Sequence, residues 1–491
     1  MPLVPLAIPP GVYRNGTDYQ SSGRWRDASL IRWTEGTMQP IGGWAARATI
    51  ETNKKVRGSI AWRQNNGTRW IAAGTYQKLF VVSPTATVDI TPTGFTAGQE
   101  SATQNLGFGG GAYGNYLYGT PRQDEGAYDE ATSWSLDTWG EYLVACSDSD
   151  GKIYEWQLNV ANDAAIIANA PTNNLGIVVT EERFLFALGA GGNARKVQWS
   201  DREDNTTWTP AATNEAGDLE LQTSGQIMLG IKGRGQTLIL TDQDAHAATY
   251  QGPPFVFGVE RVGSACGAIS RHCAATVDRG VFWMGNRGFF AFAGGQVQDV
   301  PCDVSDYVFN NISASQKSKI HAVTNAKFNE IWWFYPSGPG EECDSYVVFN
   351  YEENHWTIGT LARTSGIDVG VFNTPIWFGT NGIAYNHESG FNLNSETVFA
   401  ESGPFEIGAG DTTMMASMLI PDEKTRGQVT VTFKTRFYPN DTERSYGPYS
   451  MTAPTDVRFT GRQVAMRVTG AANDSWRWGV PRIDAIPGGR R

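Results

Sequence analysis

The chain runs to 491 residues with 56 glycines, 12% aromatic and 18% charged residues, fewer charges than the roughly 25% of an average domain. That length calls for two or more domains, or one large all-β body with an appendage. The composition excludes long charged helices in favour of strands and turns. A net charge of −11 argues against a protein that grips nucleic acid through a basic surface, since such affinity comes from neutralising phosphates.

The first stretch, Gly11-Val12-Tyr13-Arg14-Asn15-Gly16 through Arg32-Trp33 to Gly42-Gly43-Trp44, is rich in glycine, tryptophan and arginine and has only short apolar runs. It is too irregular for a helix face and reads as a docking arm followed by a strand, covering residues 1–45. Arg14, Tyr19, Arg24, Trp25 and Arg26 are its candidate partner-contact residues. The strand is expected to latch a ring of strands by joining a late strand near 376–385. The start, Met1-Pro2-Leu3-Val4-Pro5-Leu6, lacks the features of a signal peptide. No apolar run reaches the roughly 20 residues of a membrane span, so synthesis and folding in a cytoplasm are expected.

From 46 to 400 one phrase recurs: a short apolar strand, a turn of Gly, Asp or Asn, then a second strand carrying an aromatic. Leu143-Val144-Ala145-Cys146 leads to Ile153-Tyr154, Val281-Phe282-Trp283-Met284 to Phe289-Phe290, and Ile331-Trp332-Trp333-Phe334 to Val347-Val348-Phe349. The second-strand aromatics Phe80, Tyr154, Trp199, Tyr250, Phe290, Phe349 and Tyr385 stand 74, 45, 51, 40, 59 and 36 residues apart. Apart from the first interval this is the spacing of propeller blades, about 40–50 residues each. A β-propeller of six or seven blades follows, because a four-stranded blade buries its faces only by stacking on its neighbours.

The long first interval holds an insertion over 98–137, with Gly107-Phe108-Gly109-Gly110-Gly111 and Tyr113, Tyr116, Tyr118 and Arg122. It has no core-forming periodicity and reads as a long functional loop. Phe108, Tyr113, Tyr116, Tyr118 and Arg122 are candidate contact residues there. Residues 401–491 read as a small C-terminal β-sandwich-like domain: Thr430-Val431-Thr432-Phe433-Lys434 alternates as a half-exposed strand does. Trp476, Arg477 and Trp478 are its candidate contact residues.

Chemistry is sparse in the pattern. The five cysteines (146, 266, 273, 302 and 343) include no C-x-x-C pair, so neither a disulfide framework nor a zinc site is indicated. His246, His272, His321, His355 and His387 stand in no metal-binding spacing. Nucleophile elbow, P-loop and dinucleotide fingerprint are lacking. Ser147-Asp148-Ser149-Asp150-Gly151 and Ser200-Asp201 through Trp208 approach sialidase-type Asp-boxes without their spacing and read as turns with Asx hydrogen bonds. No catalytic residue, metal or cofactor is expected. The runner-up reading, from the tryptophan content and these near-boxes, is a carbohydrate-binding or polysaccharide-degrading propeller of a host-adhesion apparatus.

Three places carry a resemblance: Leu30-Ile31-Arg32-Trp33 with Pro40-Ile41-Gly42-Gly43-Trp44, the loop Gly107 through Pro121, and Gly461 through Val468 with Trp476-Arg477-Trp478-Gly479 and Arg482-Ile483-Asp484. Together they resemble the tail nozzle or hub proteins of short-tailed bacteriophages, also called packaged-DNA stabilisation or head-completion proteins. The resemblance implies a structural, non-enzymatic virion protein at the tail end, a ring that is usually a hexamer. Its implied neighbours are a portal-adaptor ring above and tail fibre, tailspike or plug proteins. Double-stranded DNA would pass without sequence-specific binding, and an acidic lumen would let it slide.

Overall fold

The structure, a computed structural model, describes residues 3–104, 128–406 and 410–489. Among these, seven four-stranded antiparallel sheets follow one another along the chain, at 59–89, 134–166, 176–220, 227–264, 274–300, 321–360, and 365–387 together with Trp44–Thr49. The innermost strands pack side by side in order, and Ser365–Ile367 of the last sheet lies beside Ser59–Arg63 of the first, which closes the circle. The chain is a seven-bladed β-propeller. The seven aromatics that marked the repeat, Phe80 to Tyr385, all fall on the third strand of their blades.

The phrase stood out because the middle strands are covered on both faces by neighbouring blades. Leu185–Leu188, Thr237–Thr241 and Glu330–Pro336 are buried at every position. The outermost strands are wetter: Gly217–Glu220 and Gln296–Val300 have no buried residue. Blades interlock at close range. A Cβ on Gly74 would lie 2.3 Å from the Trp134 ring of the next blade, whose Nε1 donates to Thr75 O at 2.7 Å.

The latch forms as expected in kind, with Trp44–Thr49 pairing antiparallel to Ile383–His387. It starts at the end of the range assigned to the arm, so the boundary at 45 cuts it. Trp44 stacks on His387 (ring centroids 5.4 Å) and lies under the Arg363 guanidinium at 5.0 Å. The insertion also ends earlier than 137, since Trp134–Trp139 is the innermost strand of blade 2.

The C-terminal residues form a two-sheet sandwich, but they do not build it alone. Val4–Pro5 pairs with Arg482–Pro487 in a four-stranded sheet, and Trp25–Ser29 pairs with Val398–Ser402 in a five-stranded one. Phe433 and Phe459 meet between the sheets with centroids 4.7 Å apart. The expected free docking arm is therefore wrong for these residues: they are strands of the sandwich. Trp25–Ser29 also packs beside His355–Thr360, the outer strand of blade 6. The hairpin Ile31–Thr34 and Thr37–Pro40 continues that junction, exchanging backbone bonds between Met38 and Trp478.

Candidate functional site at the channel mouth

The innermost strands all run the same way around the axis, as the parallel bridge between His272 and His321 shows, so the residues just before them collect at one end. The axial channel they enclose has a volume of about 410 Å³, lined by residues such as Ser135, Ile177, Gly230, Thr276 and Ser365. At its far end Lys232 Nζ meets Asp137 Oδ1 at 2.8 Å. The lining is mixed in sign.

The near end is the charged one. Arg57, Arg271, Lys319 and Arg363 stand two or three residues ahead of the innermost strands of blades 1, 5, 6 and 7. Arg57 Nη2 donates to both Glu342 carboxylate oxygens at 2.6 and 2.7 Å, and Lys319 Nζ donates to Glu342 Oε1 at 2.9 Å. Despite the burial that opposes ionisation, these two cations hold the Glu342 carboxyl below the usual range. Burial, reinforced by Arg57, pulls the Lys319 ammonium down. Arg271 reaches Asp148 at 3.4 Å and Glu130 at 3.5 Å. Burial and the Arg271 and Arg57 guanidiniums lower His272 to about 4, and burial, with His272 and Arg57 beside it, lowers His321 to about 3. Both rings are neutral near pH 7.

The ends of the insertion are fastened to this mouth. Thr103–Gln104 pairs with Tyr128–Asp129. Gln316 and Ala102 exchange two hydrogen bonds of 3.0 Å, and Lys319 Nζ donates to Ser101 Oγ at 3.1 Å. Phe108, Tyr113, Tyr116, Tyr118 and Arg122 lie outside the described residues.

The remaining predicted contact residues are mostly engaged within the chain. Arg14 pairs with Asp27 at 2.9 Å and lies over the Tyr307 ring at 3.9 Å. Arg24 pairs with Asp303 at 3.0 Å and Arg26 with Asp18 at 2.5 Å. Trp25, Trp476 and Trp478 are buried, Trp25 against Trp33 of the hairpin with ring centroids 6.0 Å apart and Trp478 paired with Met38; they offer no outward surface. Tyr19 is 45% exposed with its hydroxyl donating to Glu406 Oε1 at 2.7 Å, and Arg477 is exposed. The structure brings neither of these two to the channel mouth.

The two near-Asp-boxes are turn formers. The Asp204 carboxylate accepts from Thr206 and Thr207, which holds it below the usual range, and Trp208 is buried with its Nε1 donating to Asn205 O at 2.7 Å. Four of the five cysteines are buried and none is paired; burial pushes Cys266 up to about 11 and Cys343 up to about 12. Among the described residues no group of three His, Cys, Asp or Glu is placed to hold a metal, and no helix is long and apolar enough to cross a membrane.

The mouth cluster escaped sequence reasoning because its members lie in blades 1, 5 and 6 and form no local motif. The usable signal was a basic residue two or three positions ahead of the innermost strand in blades 1, 5, 6 and 7.

No family model matches the chain, and no curated protein matches it. Solved β-propellers do. A streptogramin B lyase aligns at 10% identity over 70% of this chain and 97% of its own, with a TM-score of 0.40. Virginiamycin B lyase from Staphylococcus aureus aligns at 8% over 70% and 98%, with a TM-score of 0.43. The WD40 propeller domain of Doa1 aligns at 11% over 70% and 97%, with a TM-score of 0.41. Likeness at this level says nothing of chemistry.

Proposed function

We propose that this protein is a structural subunit of a phage particle, a nozzle-type component at the end of a short tail that assembles as a ring of copies and helps retain packaged DNA. The observation that carries the reading is the three-place resemblance through Leu30–Trp44, Gly107–Pro121 and Gly461–Asp484. Two of those places meet in the fold: Met38 and Trp478 exchange backbone hydrogen bonds of 3.1 and 2.9 Å, so the resembling segments build one junction between sandwich and propeller.

The reading has a geometric consequence. A channel of about 410 Å³ has room for little more than a dozen waters at about 30 Å³ each and cannot admit a DNA duplex. The DNA path must then lie between copies, with each propeller a wall block, and the acidic balance belongs on the faces turned to that path.

The test is imaging of the purified full-length chain together with its detection in virions. A closed ring, six-fold under this reading, with the protein present in particles, is the expected result. A protein that stays monomeric at every concentration and is absent from virions refutes it.

A further inference from the structure

Phe255 is 77% exposed, more than any other large apolar side chain among the described residues. It stands at the end of the outer hairpin of blade 4. The strands of that hairpin, Asp244–Gly252 and Val256–Ser264, run nine residues each, where the matching pair of blade 3, Lys196–Trp199 and Gly217–Glu220, runs four. The turn Gly252-Pro253-Pro254-Phe255 carries no charge. Behind it Val256 is buried with φ at +57°, a region that a β-branched residue rarely enters. Strain of this kind persists where a site needs the geometry, and here it leaves the Phe255 ring outside its own blade.

The sandwich, joined to the propeller beside blade 6, carries a hollow that matches this knob. A groove of about 240 Å³ opens between its two sheets, lined by Leu6, Ile8, Phe405, Met414, Ile483 and Ala485. An apolar cavity of about 150 Å³ takes benzene, so the groove has room for a benzyl side chain. The charges beside knob and groove are opposite. Arg202 lies over the Tyr250 ring at 5.7 Å, on the rung Tyr250–Phe257 just below the hairpin tip, and has no carboxylate at ion-pair distance among the described residues. Glu406 lines the groove and accepts only from neutral donors, Tyr19 at 2.7 Å and Gln463 at 2.8 Å.

We propose that Phe255 of one copy of this chain seats in the sandwich groove of a second copy, with Arg202 beside the knob facing Glu406 at the groove. The partner is a second copy because knob and groove are both on this chain, stand on different parts of it, and carry opposite unpaired charges. Phe255 is the anchor of the contact, an aromatic side chain entering a pocket as binding hot spots do. A contact between unlike surfaces joins copies head to tail and closes as a ring when the rotation allows. The inference rests on the ring of copies proposed for this protein and names its joint.

The experiment follows the full-length chain by sedimentation velocity over a concentration series. The parent is expected to assemble. Phe255→Ser, at an exposed tip, should keep the parent's melting temperature and raise the concentration for half-assembly about tenfold or more. Arg202→Glu should weaken assembly at low salt and matter little at high salt. Mixing Phe255→Cys with Val4→Cys, a change at the 44% exposed rim of the groove, should give a disulfide between the two chains on oxidation. Assembly of Phe255→Ser at the parent's concentrations, or no cross-link in the mixture, overturns the joint and leaves the ring reading standing. A parent that stays monomeric at every concentration overturns the joint, and together with absence from virions it overturns the ring reading too. Val4→Cys shielded from thiol reagents in the monomer would give the groove to the chain's own segments, and assembly only in the presence of another virion protein would give it to that protein; either result overturns the proposal.

Discussion

Arg32 and Glu330 form a bidentate pair, Nε to Oε1 at 2.5 Å and Nη2 to Oε2 at 2.7 Å, with side chains 2% and 5% exposed. Arg32 comes from the N-terminal hairpin and Glu330 from blade 6. The same guanidinium reaches Glu388, just past the strand that receives the latch, at 2.7 Å. One cation thus ties the sandwich junction to blade 6 and to blade 7, where the latch closes the ring. Burial opposes its charge, but the two carboxylates outweigh burial and raise its pKa. Replacing Arg32 by Met strands two buried carboxylates and should cost about 3–5 kcal/mol. Urea denaturation measures it; a loss below 1 kcal/mol would show that the pairing is not a structural tie.

Trp44→Ala addresses the latch itself. The side chain is 6% exposed, stacked on His387 and beneath Arg363. Truncating a buried tryptophan costs about 3–5 kcal/mol. The loss should also raise limited proteolysis at both partner strands, Trp44–Thr49 and Ile383–His387, because an unlatched propeller opens at its seam. Unchanged proteolysis at that seam would place the closure elsewhere.

The buried histidines give the fold a pH dependence with a defined sign. His272 and His321 titrate at about 4 and about 3 when folded, against 6.5 when free. The unfolded chain therefore takes up protons first as pH falls. Stability is complete above about pH 6.5 and declines below it, by about 2 kcal/mol for each histidine at pH 5. The His272→Gln, His321→Gln double variant should lose less stability between pH 7 and pH 5 than the parent; identical slopes would assign the acid sensitivity to other groups.

Removing residues 107–121 should leave the melting temperature within about 2 °C of the parent, a shift equivalent to about 2 kcal/mol at most for a chain of this length. Thr103–Gln104 already pairs with Tyr128–Asp129 and the ends are held by Gln316 and Lys319. Under the nozzle reading the same deletion reduces incorporation into particles or genome retention. Loss of soluble protein would instead make the segment part of the folding core.

What the sequence determined alone was local and periodic. Middle strands such as Ile331–Phe334 are apolar on both faces because blades cover them on both sides, so the recurring phrase pointed to six or seven blades even though the outer strands, polar and exposed, left no such mark. The alternation of Val431 and Phe433 with Thr430, Thr432 and Lys434 likewise disclosed a half-exposed strand. Only the tertiary structure decided the rest. The arginines of the N-terminal segment looked free for a partner, but Arg24 finds Asp303 and Arg14 finds Asp27 and Tyr307. Trp476 looked like a contact residue and is fully buried against Gly470, at the end of a sandwich strand. The mouth cluster joins Arg57 to Glu342 across 285 residues of chain. A strand's period is written in its neighbours along the chain, but a charge finds its counter-charge only in space, so one could be read in advance and the other could not.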